Sequence, residues 1–283
     1  MEHAARGIEI ERLAFGMLDA LVDAQNEMFQ DYIIPVKSSR QFFLDFLKSV
    51  GGDLNNILVA VDGDKRIVGY INPVVDGFEG WIGGIGIHPQ YRGSGIGSRL
   101  MIDAEKDLHS KGVREISLEV IEGNDRAQKL YERLGYVATR KFLTAEGKPA
   151  RFEGFGTRPS PASMSDLLAL HERSYRDACW QRRKADALVQ SARGAECYKT
   201  DGGFVVLRTV EATGFIPFLG VLPERRRKGV GTSLAKFALT RLHDLGAFKI
   251  ALYNVNEDTP TQRMLDMFDF KVTMKQIEMK KTL

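Results

Sequence analysis

The sequence predicts an α/β protein made of two related domains in tandem, and three observations carry that prediction. One stretch occurs twice. Pro89-Gln-Tyr-Arg-Gly-Ser-Gly-Ile-Gly97 returns as Pro223-Glu-Arg-Arg-Arg-Lys-Gly-Val-Gly231, an offset of 134 residues counted from Pro89 to Pro223. The offset holds without a gap from Gly86/Gly220 to Tyr136/Phe270, so Arg92 meets Arg226, Gly95 meets Gly229, Gly97 meets Gly231 and Gly112 meets Gly246. In both copies an apolar, strand-like run leads in and a long amphipathic segment leads out. Finally, 283 residues is about the length of two ordinary domains.

Each element follows from local pattern. Residues 8–13 alternate and read as a strand. Residues 17–31 place Leu18, Leu21, Val22, Ala24 and Met28 at helical spacing. Ser39 caps a second helix running to residue 50, which Gly51 and Gly52 end. Residues 57–61 form a strand, Asp62-Gly63-Asp64 a hairpin turn, and residues 66–75 its partner. After a turn at Asp76 and Gly77, residues 80–88 form the strand that stops at Pro89. Residues 97–112 read as a helix with Leu100, Met101, Ala104 and Leu108 on one face. Residues 115–121 are a strand, Asn124 or Asp125 caps a helix to residue 134, and Gly135-Tyr136 starts a last strand. The first half therefore reads β-α-α-β-β-β-α-β-α-β.

Residues 143–165 are rich in turn formers, and the boundary is placed near 150, giving domains 1–150 and 151–283. The second half repeats the order less clearly. Helices are expected over 165–177 and 182–192, and strands over 196–199, 204–210 and 215–222. A helix over 231–245, a strand over 247–255, a helix over 259–267 and a strand over 270–279 complete it.

Composition narrows the class. A net charge of +3 is mild and lacks the strong basic face of a nucleic-acid binder. The run Arg225–Lys228 lies inside the second glycine loop, where a small cofactor's phosphate is a better partner than a polyanion. Cys179 and Cys197 have no metal-ligand spacing, and no metal is expected. The first seven residues lack an apolar signal region, and no apolar run approaches the roughly 20 residues of a membrane span. A cytoplasmic protein with no membrane partner is the expectation.

A strand that ends at Pro, then Arg-x-x-Gly-x-Gly, then a helix, makes an anion site. Glycines let successive main-chain N–H groups turn toward one point. The helix adds its unpaired N–H groups and the positive end of its dipole, and Arg92 can add a charge-assisted contact. The competing reading is a tight turn that holds nothing. A P-loop needs Gly-x-x-x-x-Gly-Lys-Ser/Thr, which is absent. A dinucleotide fingerprint belongs to the opening βα turn, whereas Gly93–Gly97 follows four strands.

The arrangement resembles the GNAT superfamily of acyl-CoA-dependent N-acyltransferases. Arg92, Gly95 and Gly97 match its strand–loop–helix element, and Asn124, Ala127, Leu130, Tyr131 and Leu134-Gly-Tyr136 match the following strand–helix. The resemblance implies two tandem domains, each a mixed, mostly antiparallel sheet flanked by helices, with a splay between its central strands. It implies acetyl-CoA as cofactor. The diphosphate would be held by the loop from Arg92 through Gly93, Ser94, Gly95, Ile96 and Gly97 to Ser98. Pantetheine would add to the strand edge at Ile85 and Ile87. It implies transfer of an acyl group to a small-molecule or peptide amine by direct attack, with Tyr131 as general acid.

The residues alone leave alternatives. Tyr131 also fits a core tyrosine of an amphipathic helix, and Asn124 fits a helix cap, beside the cofactor contact that the resemblance implies for it. Glu119, on the strand facing the splay, is the first candidate for the base, with Glu79 and His88 behind it. Asp31-Tyr32 falls where the family lines its acceptor pocket. In the second half Tyr131 becomes Leu265, which has no proton to give. Arg226, Gly229 and Gly231 are kept, so that half is expected to bind coenzyme A without the same acid. A non-catalytic acyl-CoA sensor is the alternative function.

Overall fold

The computed structural model of the chain describes residues 7–33, 37–156, 158–175 and 178–283. They divide into two compact units. The first takes the described residues up to Thr139 together with Ile277–Leu283, and the second is Arg140–Gln276.

The first unit contains β1 (Glu9–Arg12), α1 (Leu18–Met28), α2 (Arg40–Ser49), β2 (Leu58–Val61), β3 (Ile67–Asp76), β4 (Glu79–Ile87), α3 (Ile96–Ser110), β5 (Glu115–Ile121) and α4 (Asp125–Arg133). Ser39 caps α2 as expected, accepting from the Phe42 N–H at 3.1 Å. Asp62 shapes the β2–β3 turn by accepting from the N–H groups of Asp64 and Arg66 at 3.0 and 2.9 Å. Strands β1 to β4 pair in sequence order and antiparallel, and β4 pairs β5 in parallel. Beyond β5 lies β12 (Lys271–Thr282), whose residues from Ile277 onward belong to this unit.

Helices cover both faces of this sheet. Leu100, Met101, Ala104 and Leu108 of α3 pack on Ile71, Ile82, Ile116 and Leu118. Leu21 and Met28 of α1 and Phe43 and Leu47 of α2 pack on Val59, Val61 and Tyr70. Each such side chain stabilises the fold by about 1.5–3 kcal/mol through burial.

The second unit contains the later part of β6 (Val137–Gly147), then β7 (Ser160–Pro161), α5 (Met164–Ser174), α6 (Trp180–Arg183), α7 (Ala185–Ala192), β8 (Glu196–Thr200), β9 (Gly203–Val210), β10 (Thr213–Val221), α8 (Val230–Asp244), β11 (Lys249–Asn256) and α9 (Thr259–Met267). Its strands lie in the order β6-β11-β10-β9-β8-β7, again with one parallel pair, β10 with β11. Leu234, Ala238 and Leu242 of α8 pack on Val205, Leu207 and Ile250.

Several elements differ from the sequence reading: the helix expected over 17–31 ends at Met28 and the strand expected over 270–279 runs on to Thr282. The helix expected over 182–192 begins at Trp180 and is broken by the extended conformation of Lys184. The helix expected over 165–177 ends at Ser174, and Asp177 lies outside the described residues. Ser160–Pro161 adds a two-residue strand inside the turn-rich stretch, paired with Tyr198 and Lys199.

Both units have the splay. The β4–β5 ladder runs from Glu79↔Glu115 to Ile82↔Leu118, while β4 continues to Ile87 and β5 to Ile121. The β10–β11 ladder runs from Thr213↔Lys249 to Phe215↔Ala251, while those strands continue to Val221 and Asn256. A register shift in β4 between Ile82 and Ile85 leaves Gly83 and Gly84 bulged opposite Asn72, which bends the strand away from its parallel neighbour.

Candidate functional site

The splay of the first unit opens into a cavity of about 800 Å3. Its lining brings together the far end of β4, the glycine loop, the start of α3, the end of β5, α4 and the residues just after α1. Ile85, Ile87, Arg92, Gly93, Gly95, Ile96, Gly97, Ser98, Glu119, Asn124 and Tyr131 all line it. Ser94, between two of them, is not part of that lining, and its hydroxyl donates to the Tyr91 carbonyl at 2.6 Å.

The loop has the geometry its glycines allow. Gly93 and Gly95 have φ of +83° and +86°, a left-handed conformation that side chains resist. Gly95 is the cap of α3, so the N–H groups of Ile96, Gly97 and Ser98 have no acceptor one turn earlier within the helix. They meet the positive end of the helix dipole at the cavity wall.

Arg92 is engaged with the protein itself. Its Nη1 and Nη2 donate to the two carboxylate oxygens of Asp31 at 2.6 and 2.7 Å. Nη2 also donates to the Met28 carbonyl at 2.8 Å, and Nε to the Ile87 carbonyl at 3.2 Å. The residue therefore ties the end of α1 to the end of β4 beneath the loop. The Arg92 guanidinium holds the Asp31 carboxyl below its ordinary range. The sequence gives no direct signal for a second cation, yet Arg126 of α4 comes to the loop. Its Nη2 lies 3.6 Å from where a Cβ on Gly93 would be.

Tyr131 points from α4 into the cavity wall and is buried. Burial pushes its phenol well above the usual tyrosine range, and the neighbouring Tyr32 adds to the effect. Tyr136 meets it edge-on at 6.1 Å. Asn124 takes the capping role that the sequence allows it. Its Oδ1 caps α4 by accepting from the Ala127 N–H at 3.2 Å, while its Nδ2 reaches the Tyr32 hydroxyl at 3.5 Å. Tyr32 and Asp31 line the same cavity.

Of the three residues considered as a base, Glu119 alone lines the cavity. It lies on β5 just past the last paired residue, Leu118. Its Oε2 accepts the indole N–H of Trp81 at 2.7 Å, a partner the sequence does not reveal. Glu79 starts β4 opposite Glu115, at the other end of the strand. The His88 Nε2 is 3.5 Å from Glu27.

The second loop copies the backbone of the first. Gly229 caps α8 with φ +80°, and the Arg226 Nε donates to the Val221 carbonyl at 3.2 Å, as Arg92 does to Ile87. Gly231 lies in the first turn of α8. Where Gly93 stands in the first loop, Arg227 takes φ +62°, at a cost of about 1 kcal/mol for a residue with a side chain. Asp258 caps α9 as Asn124 caps α4, accepting from Thr261 at 2.8 Å. Leu265, in the place of Tyr131, is buried in the apolar core of its unit.

Comparison with known proteins agrees with this geometry. The model of the acetyltransferase (GNAT) family matches residues 18–136 and 160–270. The fold is similar to a GCN5-related N-acetyltransferase from Sphaerobacter thermophilus, at 15% identity over 97% of this chain and 95% of that one, with a TM-score of 0.73. A putative acetyltransferase from Pyrococcus horikoshii is 18% identical over 98% of this chain and 90% of that one, with a TM-score of 0.67. A tandem GNAT protein from the clavulanic acid biosynthesis pathway is 15% identical over 97% and 98%, with a TM-score of 0.69. At these identities the likeness to the solved structures is one of fold. Among the described residues no helix is long and apolar enough to cross a membrane.

Proposed function

We propose, for a chain that belongs to the acetyltransferase (GNAT) family, that its first unit moves an acetyl group from acetyl-CoA to an amine by direct attack. One observation carries this reading. A glycine loop at a helix start, a strand edge beyond its last ladder pair, the Tyr131 phenol and the Glu119 carboxylate line a single cavity. Acetyl-CoA, when bound, supplies an acyl carbonyl activated as a thioester.

The chain's own groups do the rest. The N–H groups that open α3, with Arg126 beside them, bind the diphosphate. The main chain of Ile85 and Ile87, past the end of the β4–β5 ladder, takes an extended arm as an added strand. Glu119, held by Trp81, accepts the proton that the attacking amine must lose. Tyr131 donates to the departing sulfur, and its burial keeps that proton in place at neutral pH. Positioned acid–base groups of this kind contribute about 100- to 10,000-fold to rate.

The acceptor is a small-molecule or peptide amine that enters past Tyr32 and Phe29, which also line the cavity. The cytoplasm suits both the cofactor and the two cysteines, Cys179 and Cys197. The test is a thiol-release screen of amines with acetyl-CoA, using wild type and Tyr131→Phe. Amine-dependent release that the variant loses is the expected result. A protein that ignores every acyl-CoA offered sinks the reading.

A further inference from the structure

The offset that aligns the two glycine loops also aligns the ladders behind them. Tyr70↔Gly86 and Ile71↔Ile85 in the first unit correspond to Phe204↔Gly220 and Val205↔Leu219 in the second. Leu219 therefore stands where Ile85 stands. In an antiparallel ladder, alternate residues direct both main-chain groups away from the partner strand. Leu219 is such a residue. Its N–H donates to the Tyr175 hydroxyl at 3.0 Å, and that hydroxyl donates to the Leu219 carbonyl at 3.0 Å. Both groups face the gap where β10 leaves β11, and a phenol of the same unit has taken them.

Further along, Arg182 of α6 spans the gap. Its Nη1 donates to the Tyr253 carbonyl at 2.9 Å and reaches the Asn254 carbonyl at 3.4 Å, both on β11. Its Nη2 donates to the Pro217 carbonyl on β10. One guanidinium thus joins the two strands just past their last ladder pair, Phe215↔Ala251.

These side chains are held firmly. The Arg182 guanidinium lies 5.3 Å from the Phe218 ring and 5.6 Å from the Tyr175 ring. Tyr175 stacks on His171 at 4.9 Å and 14°. A His171 ring nitrogen, Nε2, meets the Arg182 carbonyl at 2.8 Å, and the buried ring is an N–H donor there in its neutral form. An extended ligand arm entering this gap would have to displace a phenol and a guanidinium that already satisfy the strand edges.

We infer that the second unit is closed to acyl-CoA by its own Tyr175 and Arg182, so that the chain carries one acyl-CoA site, in the first unit. The inference rests on the reading that acyl-CoA is the ligand of the first unit.

Calorimetric titration of the full chain with acetyl-CoA tests it. Wild type is expected to take up about one equivalent per chain. Gly95→Asp is expected to weaken binding about 100-fold by placing a carboxylate against the diphosphate. Nothing lies within 4 Å of the new Cβ, and Asp is among the side chains that enter the left-handed region at modest strain, so circular dichroism is expected to show this variant folded. Adding Tyr175→Ala and Arg182→Ala to Gly95→Asp is expected to restore uptake through the second unit. Two equivalents in wild type, one of them surviving Gly95→Asp, overturn the closure and leave the first site standing. A triple variant that is folded by circular dichroism and still binds nothing removes the closing role from these two side chains. Should the triple variant fail to fold, the wild-type stoichiometry decides alone. No uptake by wild type overturns the acyl-CoA reading, and the inference falls with it.

Discussion

Trp81 donates its indole N–H to Glu119 at 2.7 Å, across two strands that stop pairing one residue further on. Trp81 is almost completely buried, whereas Glu119 is half-buried and lines the cavity. The contact fixes one carboxylate oxygen at the mouth of the splay.

Trp81→Phe keeps most of the apolar volume and removes the donor. With this hydrogen bond gone, kcat should fall about tenfold, the worth of one hydrogen bond to a charged group. Binding of acetyl-CoA should not change, because the loop and strand edge are untouched. Steady-state kinetics beside calorimetry separate the two. An unchanged kcat would remove Trp81 from the positioning of Glu119.

Tyr131→Phe keeps the ring against Tyr136 and deletes only the hydroxyl. If the phenol delivers the proton to sulfur, kcat should drop about 100-fold while the affinity for acetyl-CoA stays within about twofold. A parallel loss of affinity would instead assign the hydroxyl to binding.

Truncation should be felt far from where it is made in the sequence. Ile277 and Met279 are buried in the core of the first unit, Lys280 pairs with Glu115, and Lys281 pairs with Glu105. The Leu283 N–H donates to the Arg114 carbonyl at 2.8 Å. Deleting residues 277–283 removes two apolar side chains worth about 1.5–3 kcal/mol each. The truncated protein should lose acetyltransferase activity and melt earlier, and a fragment of residues 1–150 should be poorly soluble. A stable, active fragment 1–150 would contradict the assignment of Ile277–Leu283 to this unit.

Alkaline pH should weaken the fold. Burial pushes the phenols of Tyr70, Tyr131 and Tyr136 up from the ordinary value of about 10. Above about pH 10 the unfolded chain releases these protons and the folded chain keeps them. The unfolded state then binds fewer protons, so stability falls as pH rises through that range and is flat in this respect below about pH 9. Urea midpoints at pH 8 and pH 10.5 should show the decrease. Equal midpoints would mean that the three hydroxyls ionise freely in the folded protein.

Much of the site is legible in the sequence because it is local. Gly93, Gly95 and the strand before them fall within a few residues, and their conformation follows from the absence of a Cβ. The cap at Asn124 and the place of Tyr131 seven residues later share one short helix. Side-chain partners brought from elsewhere are not legible. Trp81 and Glu119 are 38 residues apart, Arg92 and Asp31 are 61, and Arg182 and Pro217 are 35. Arg92 illustrates the difference. Its spacing marks it as a phosphate ligand, and only its neighbours in space show that Asp31, Met28 and Ile87 take up its donors.

The sequence by itself determined that the fold is α/β, that it is duplicated, and that each copy sets a glycine turn before a helix. Those properties come from periodicity and from backbone freedom, which act over a few residues. Only the tertiary structure decided that the gap in the first unit opens into a cavity while the gap in the second holds Tyr175 and Arg182. It also decided that Ile277–Leu283, the end of the last strand, belongs to the first unit. A strand edge carries the same donors and acceptors whatever its side chains are, so which group reaches it is settled by packing at long range.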